Sequence, residues 1–249
     1  MTNNSNRLLL GLLTSAALIA VSAPAAASPV TGTLQLGGTF TIGPTFLSFC
    51  ATAGPCPAAP GNWNVPGNGT GDLSAPYASD PNGGLITNLN SVTEPVGTLL
   101  AGNGVQFLIF ANSGALLTPD IDFFVTEVFA GVGTNAACGL APSPGEVCTP
   151  TGSAATLING AGGDSSATIT MQGLARRIST GELSNLQMVF TSQFNTPFQS
   201  VLSTLASNGS VTNTFSASFS ATPVPEPVTS VLVGSGLLAL GILRRRGRT

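Results

Sequence analysis

Histidine and lysine are both absent from this 249-residue chain, and all seven basic residues are arginines. Their absence excludes Ser-His-Asp and Cys-His relays, Schiff-base chemistry, a P-loop lysine and any His-ligated metal. Charge is scarce altogether, at 7% of residues against roughly 25% in an average soluble protein. Tryptophan and tyrosine occur once each. What fills the chain instead is Ser, Thr and Asn, 71 residues together, with 31 Gly and 18 Pro. Hydrophobic residues still make up 43%, enough for a core, so the solvated surface must be built mostly from hydroxyls and amides.

The few charges are unevenly placed. Five arginines lie at the ends: Arg7, Arg244, Arg245, Arg246 and Arg248. Between Ser28 and Pro225 only Arg176 and Arg177 remain, against nine carboxylates, which leaves this stretch near minus seven. A surface of that sign repels phosphate backbones and argues against nucleic-acid binding.

Both ends read as addresses. Arg7 precedes an apolar run, Leu8 to Val21, and then the small residues Ser22-Ala23-Pro24-Ala25-Ala26-Ala27. That order is the layout of a secretory signal peptide over 1–27, with cleavage expected between Ala27 and Ser28. An uncleaved anchor fits less well, because a run of 14 residues reaches only about 21 Å as a helix, short of a roughly 30 Å hydrocarbon core. The Sec translocon and signal peptidase are the partners this segment implies.

At the other end Val224-Pro225-Glu226-Pro227 is followed by the apolar run 228–243 and then Arg244-Arg245-Arg246. The run is expected to be a short transmembrane helix, its arginine stems snorkelling to the interface. The positive-inside rule keeps that cluster cytoplasmic and places the preceding chain outside. Pro225 and Pro227 lack backbone N–H groups and hold Glu226 in an extended stretch. This three-part order resembles the PEP-CTERM sorting signal of Gram-negative bacteria, with Pro225, Glu226 and Pro227 matching the motif position by position. The resemblance covers about 26 residues, 223–249 in round terms. It implies an exosortase-type membrane transpeptidase as partner, which would cut at the motif and deliver the protein to the cell surface or beyond. Without such a cut the tail would be a permanent single-span anchor. Tails of this type also carry the label of an ice-binding-protein C-terminal domain, which implies nothing about the body.

The body, 28–222, reads as strands. Apolar and polar residues alternate in 33–42, 121–129, 167–174, 186–194 and 211–219, and 105–110 is a nearly continuous apolar run, as expected of half-buried and fully covered strands. In 121–129 the alternation sets Phe123, Val125 and Phe129 against Phe124, Thr126 and Val128. One helix is expected after Thr196 as cap and Pro197 in its first turn, stopping at Asn208-Gly209. The fold class expected is all-β, an antiparallel β-sandwich of jelly-roll-like kind with one short helix. Residues 51–84, with six prolines and seven glycines, are expected to form a large loop.

Four cysteines fall in two close pairs, Cys50 with Cys56 and Cys138 with Cys148. Export into an oxidising compartment favours two local disulfides, and proximity favours these two of the three connectivities. A zinc site is the rival, but neither pair has the C-x₂₋₄-C spacing. No cofactor or metal is expected. Asp120 and Asp122, two apart before a strand, could share one face with Glu127 or Asp164 and make a Ca²⁺ site or a glycosidase carboxylate pair. The alternative is a solvated strand start. Arg176-Arg177 reads as a solvated turn. Trp63 and Tyr77 are candidates for stacking on sugar rings, or they cover the sandwich edge. Thr39/Thr41, Thr168/Thr170 and Thr212/Thr214 could form a flat hydroxyl array, although threonine also simply suits exposed strand faces.

Three functional classes follow. The first is an exported, non-enzymatic surface or extracellular-matrix structural protein, delivered through a transient inner-membrane anchor to the cell surface or exopolysaccharide layer. The second is a carbohydrate- or ice-binding module on the same scaffold, and the third a secreted carboxylate-dependent hydrolase. The first requires only what the residues show.

Overall fold

A computed structural model describes residues 28–50, 61–63, 69–74, 84–112, 115–116, 120–224 and 236. The expected signal segment 1–27 and the apolar run 228–243 lie, Gly236 apart, outside the described residues. Among the described residues no helix is long and apolar enough to cross a membrane.

The strands are β1 (Gly32–Ile42), β2 (Phe46–Cys50), β3 (Gly61–Trp63), β4 (Gly84–Ile86), β5 (Leu89–Asn90), β6 (Val105–Asn112) and β7 (Ala115–Leu116). They continue as β8 (Ile121–Val128), β9 (Val147–Cys148), β10 (Ala155–Asn159), β11 (Ser165–Arg177), β12 (Leu183–Phe194) and β13 (Val211–Pro223). An α-helix, α1 (Phe198–Asn208), joins β12 to β13. All strand pairs are antiparallel, in the order β3-β4-β6-β8-β11-β12-β13-β1-β2-β5. The all-β expectation with one short helix is met.

Alternation builds the core. In β11 the residues Ala167, Ile169, Met171 and Ala175 are buried while Thr168, Thr170 and Gln172 point the other way. In β12 Leu186, Met188 and Phe190 are inward, and in β13 Phe215, Ala217 and Phe219. The sheet folds over itself in a sandwich-like way, because rings from distant strands meet. Phe190 lies 5.5 Å from Phe49 of β2, 6.0 Å from Phe107 of β6, 5.5 Å from Phe215 and 5.7 Å from Phe219. Tilted and edge-on pairs of this kind add to the area they bury.

The expected alternation of 121–129 fails at its end. Register jumps in β8, where Val125 faces Gly173 and Glu127 faces Gln172, so Thr126 is an extra residue in a β-bulge. The bulge reverses parity: Val128 is buried with Phe123 and Val125, and Phe129 turns to the outer side. Gly173 permits the close approach, since a Cβ there would meet the Phe124 carbonyl oxygen.

Two further expectations are corrected. Residues 51–84 are not wholly loop: Gly61–Trp63 is a strand paired with β4, and 69–74 bonds along the start of β1 and forms a 3₁₀ turn at Gly71–Leu73. Thr196 does not cap α1. Its carbonyl accepts from the Ser165 hydroxyl, and the Phe198 N–H donates to Asn159 Oδ1 of β10 at 2.9 Å. The expected stop is met at Gly209, whose φ of 75° is left-handed and whose N–H returns to the Leu205 carbonyl.

Candidate functional site

Ser28 and Val224 lie at the same end of the sheet. Gly32 of β1 faces Ala221 of β13, Ala221 faces Leu186 of β12, and Leu186 faces Gly173 of β11. Antiparallel pairing therefore brings Ser28, Val224 and the β11–β12 hairpin to one end of the sheet, while α1 sits at the other. Pro225, Glu226, Pro227, Arg244, Arg245, Arg246 and Ala27 lie outside the described residues.

An ion-pair cluster occupies that shared end. Arg177 reaches Asp72 at 3.0 Å and Asp120 at 3.4 Å, and its Nε donates to the Ser28 carbonyl at 2.8 Å. Arg176 pairs with Asp122 and stands over the Phe124 ring at 5.2 Å. The two arginines are thus clamps, where a solvated turn was expected. The side chain of Arg177 is only 17% exposed, and the bonds it makes are side-chain choices that spacing along the chain does not reveal. Burial works against the Asp72 charge, but the Thr31 amide, Arg177 and the Thr31 hydroxyl together hold its carboxyl below the ordinary value. The Ser179 hydroxyl and amide lower that of Asp120, with Arg177 assisting. Burial likewise opposes the Arg177 charge, and the two aspartates outweigh it and raise its pKa.

The candidate carboxylates each have a partner within the protein. Asp120 and Asp122 are each engaged by arginine, Glu127 accepts from Gln172 at 2.8 Å, and Asp164 accepts from the Gly162 amide in its own turn. Among the described residues no three Cys, Asp or Glu side chains could jointly hold a metal ion. Cys138 and Cys148 form a disulfide with their Cα atoms 5.1 Å apart. Cys50 is also disulfide-bonded, and Cys56 lies outside the described residues. Trp63 is on β3 beside Gly84 of β4, and Tyr77 lies outside the described residues.

The threonine pairs share an outer face without making one flat array. Thr41 and Thr212 bond each other at 2.7 Å. Thr39 is buried, 3% exposed, between Thr214 and Cys50, a correction to its expected exposure. Thr168 continues into the row Thr168–Thr191–Ser216–Gly37.

Further along the same face is a groove of about 470 Å³. Its floor is the cross-strand row Gln172–Gln187–Ser220, with Leu174, Asn185 and Thr222 one step on, and Phe129 and the bulged Thr126 form a wall. None of the described residues that line it is charged. Alternation sets Gln172 on the side of its strand away from Ile169 and Met171, but only the register of three strands shows that it meets Gln187 and Ser220. Alternation alone would have put Phe129 in the core.

No protein-family model matches the chain, and no curated protein or solved structure matches it either.

Proposed function

We propose that this protein is an exported, exosortase-processed structural protein of the cell surface or extracellular matrix, associated with the exopolysaccharide layer and without enzymatic activity. The observation that carries the reading is the three-part tail, Val224-Pro225-Glu226-Pro227, an apolar run and Arg244–Arg246, set against a leader of opposite end and matching polarity. On this reading the folded-over sheet is a jelly-roll-like sandwich that travels as cargo between two membrane addresses.

Two physical features support it. Ser28 and Val224 emerge at the same end of the sheet, so a leader and a tail could both sit in one membrane while the body stands clear on one side. The disulfide between Cys138 and Cys148 suits an oxidising compartment. The inner-membrane anchor is transient: an extended Pro-Glu-Pro stretch just outside the bilayer is a substrate that a membrane transpeptidase can grip.

Mass spectrometry of the mature protein from its native host tests this. The expected product begins at Ser28 and ends near Pro225–Pro227. A product that keeps 228–249 would make the tail a permanent anchor and overturn exosortase processing. A body protected from protease added to intact spheroplasts would overturn export.

A further inference from the structure

We propose that the outer-face groove floored by Gln172, Gln187 and Ser220 is a binding site for a neutral polysaccharide chain. The argument concerns the side chains of the groove and is independent of how the tail is processed.

The groove's backbone is already spent. β11, β12 and β13 are each paired on both edges at this position, to β8, to one another and to β1. A peptide cannot bind there by adding a strand, because no edge is open. Recognition must come from side chains, and beside Leu174 and Phe129 these are amides and hydroxyls. Among the described residues no side-chain hydrogen bond engages Asn185, Gln187, Ser220 or Thr222. Gln172 is different: its Nε2 donates to Glu127 at 2.8 Å, which orients the amide and leaves its carbonyl oxygen free to accept.

Ligand chemistry then narrows by elimination. With no cation in the lining and a body near minus seven, polyanions gain nothing and are repelled. An apolar ligand would strip water from several polar groups and return no hydrogen bonds. An uncharged, hydroxyl-dense chain answers both conditions. Neighbouring strands are about 4.8 Å apart, so the three-residue floor presents donors and acceptors over about 10 Å. Phe129 at the wall offers an apolar ring face against which the C–H face of a sugar can lie. The bulge at Thr126 supplies that wall, since without its parity change Phe129 would point into the core.

Affinity electrophoresis of the full chain in detergent tests the assignment, in gels cast with hydroxyethylcellulose, galactomannan or alginate. Retardation is expected in at least one neutral gel and should persist at high salt. Gln172→Ala/Gln187→Ala should weaken it about tenfold, the loss of two modest hydrogen-bonding groups. Gln187→Ala alone should weaken it less while leaving the melting temperature unchanged, because that exposed side chain bonds nothing in the protein. Binding to alginate only, or to none of the three, would overturn the proposal. So would neutral-gel retardation that survives Gln187→Ala and the double variant and disappears in Trp63→Ala.

Discussion

Arg177 shows how one side chain can tie together segments far apart in the chain. Its guanidinium presents several donors in a rigid fork, and here they are divided among Asp72, Asp120 and the Ser28 carbonyl. The pairing has a pH signature. In the unfolded chain an aspartate titrates near about 3.9, whereas Asp72 and Asp120 titrate lower in the folded protein. Their contribution is complete above the unfolded value and is lost as pH falls through the native values. Urea midpoints should therefore drop as pH is lowered below about 4. Asp72→Asn should flatten that acid limb; an unchanged limb would mean that the Asp72 contacts do not stabilise the fold. That Arg177 and Asp72 belong together was not legible beforehand, because 105 positions separate them in the chain.

At the scale of elements, the helix illustrates a boundary divided between local and distant signals. Gly209 ends α1 by its own left-handed conformation. The beginning depends on β10, through a run of amides: Gln199 Nε2 donates to Glu146, Asn159 Nδ2 to Gln199 Oε1, and the Phe198 N–H to Asn159 Oδ1. Asn159 is 4% exposed, so its removal leaves a buried N–H without an acceptor. Asn159→Ala should cost about 1–2 kcal/mol and speed amide exchange in the first turn of α1. An Asn159→Ala protein as stable as the parent would show that Thr196 or water supplies the cap after all. Similarly, the bulge in β8 belongs to a pair of strands. Thr126 looks like any outward residue until Gly173 lets the backbones close on one another.

Across the whole molecule the core depends on rings brought in from opposite ends of the sheet. Phe190 is 1% exposed and touches four other phenylalanines. Phe190→Ala should therefore destabilise the fold by about 3–5 kcal/mol, as expected where the surrounding rings cannot all collapse into the space. Chemical unfolding measures this; a loss below about 1 kcal/mol, the scale of a surface change, would mean that the two ends of the sheet do not pack through this cluster. The same pairing brings Ser28 and Val224 to the end of the sheet that carries the arginine cluster.

Composition and local pattern by themselves determined the class. Scarce charge and abundant Thr and Ser dictate a neutral polar surface, period-two alternation dictates strands, and the two end segments carry their own physical meaning whatever lies between them. These properties are local, because each rests on residues within a few positions of one another. Which rows of side chains meet, where parity reverses, and which acceptor caps the helix were decided by register between strands far apart in the chain. Register follows from burying one face of the whole sheet at once, so it cannot be read from any single segment. The groove, Phe129 at its wall and the Arg177 clamp all belong to that second kind.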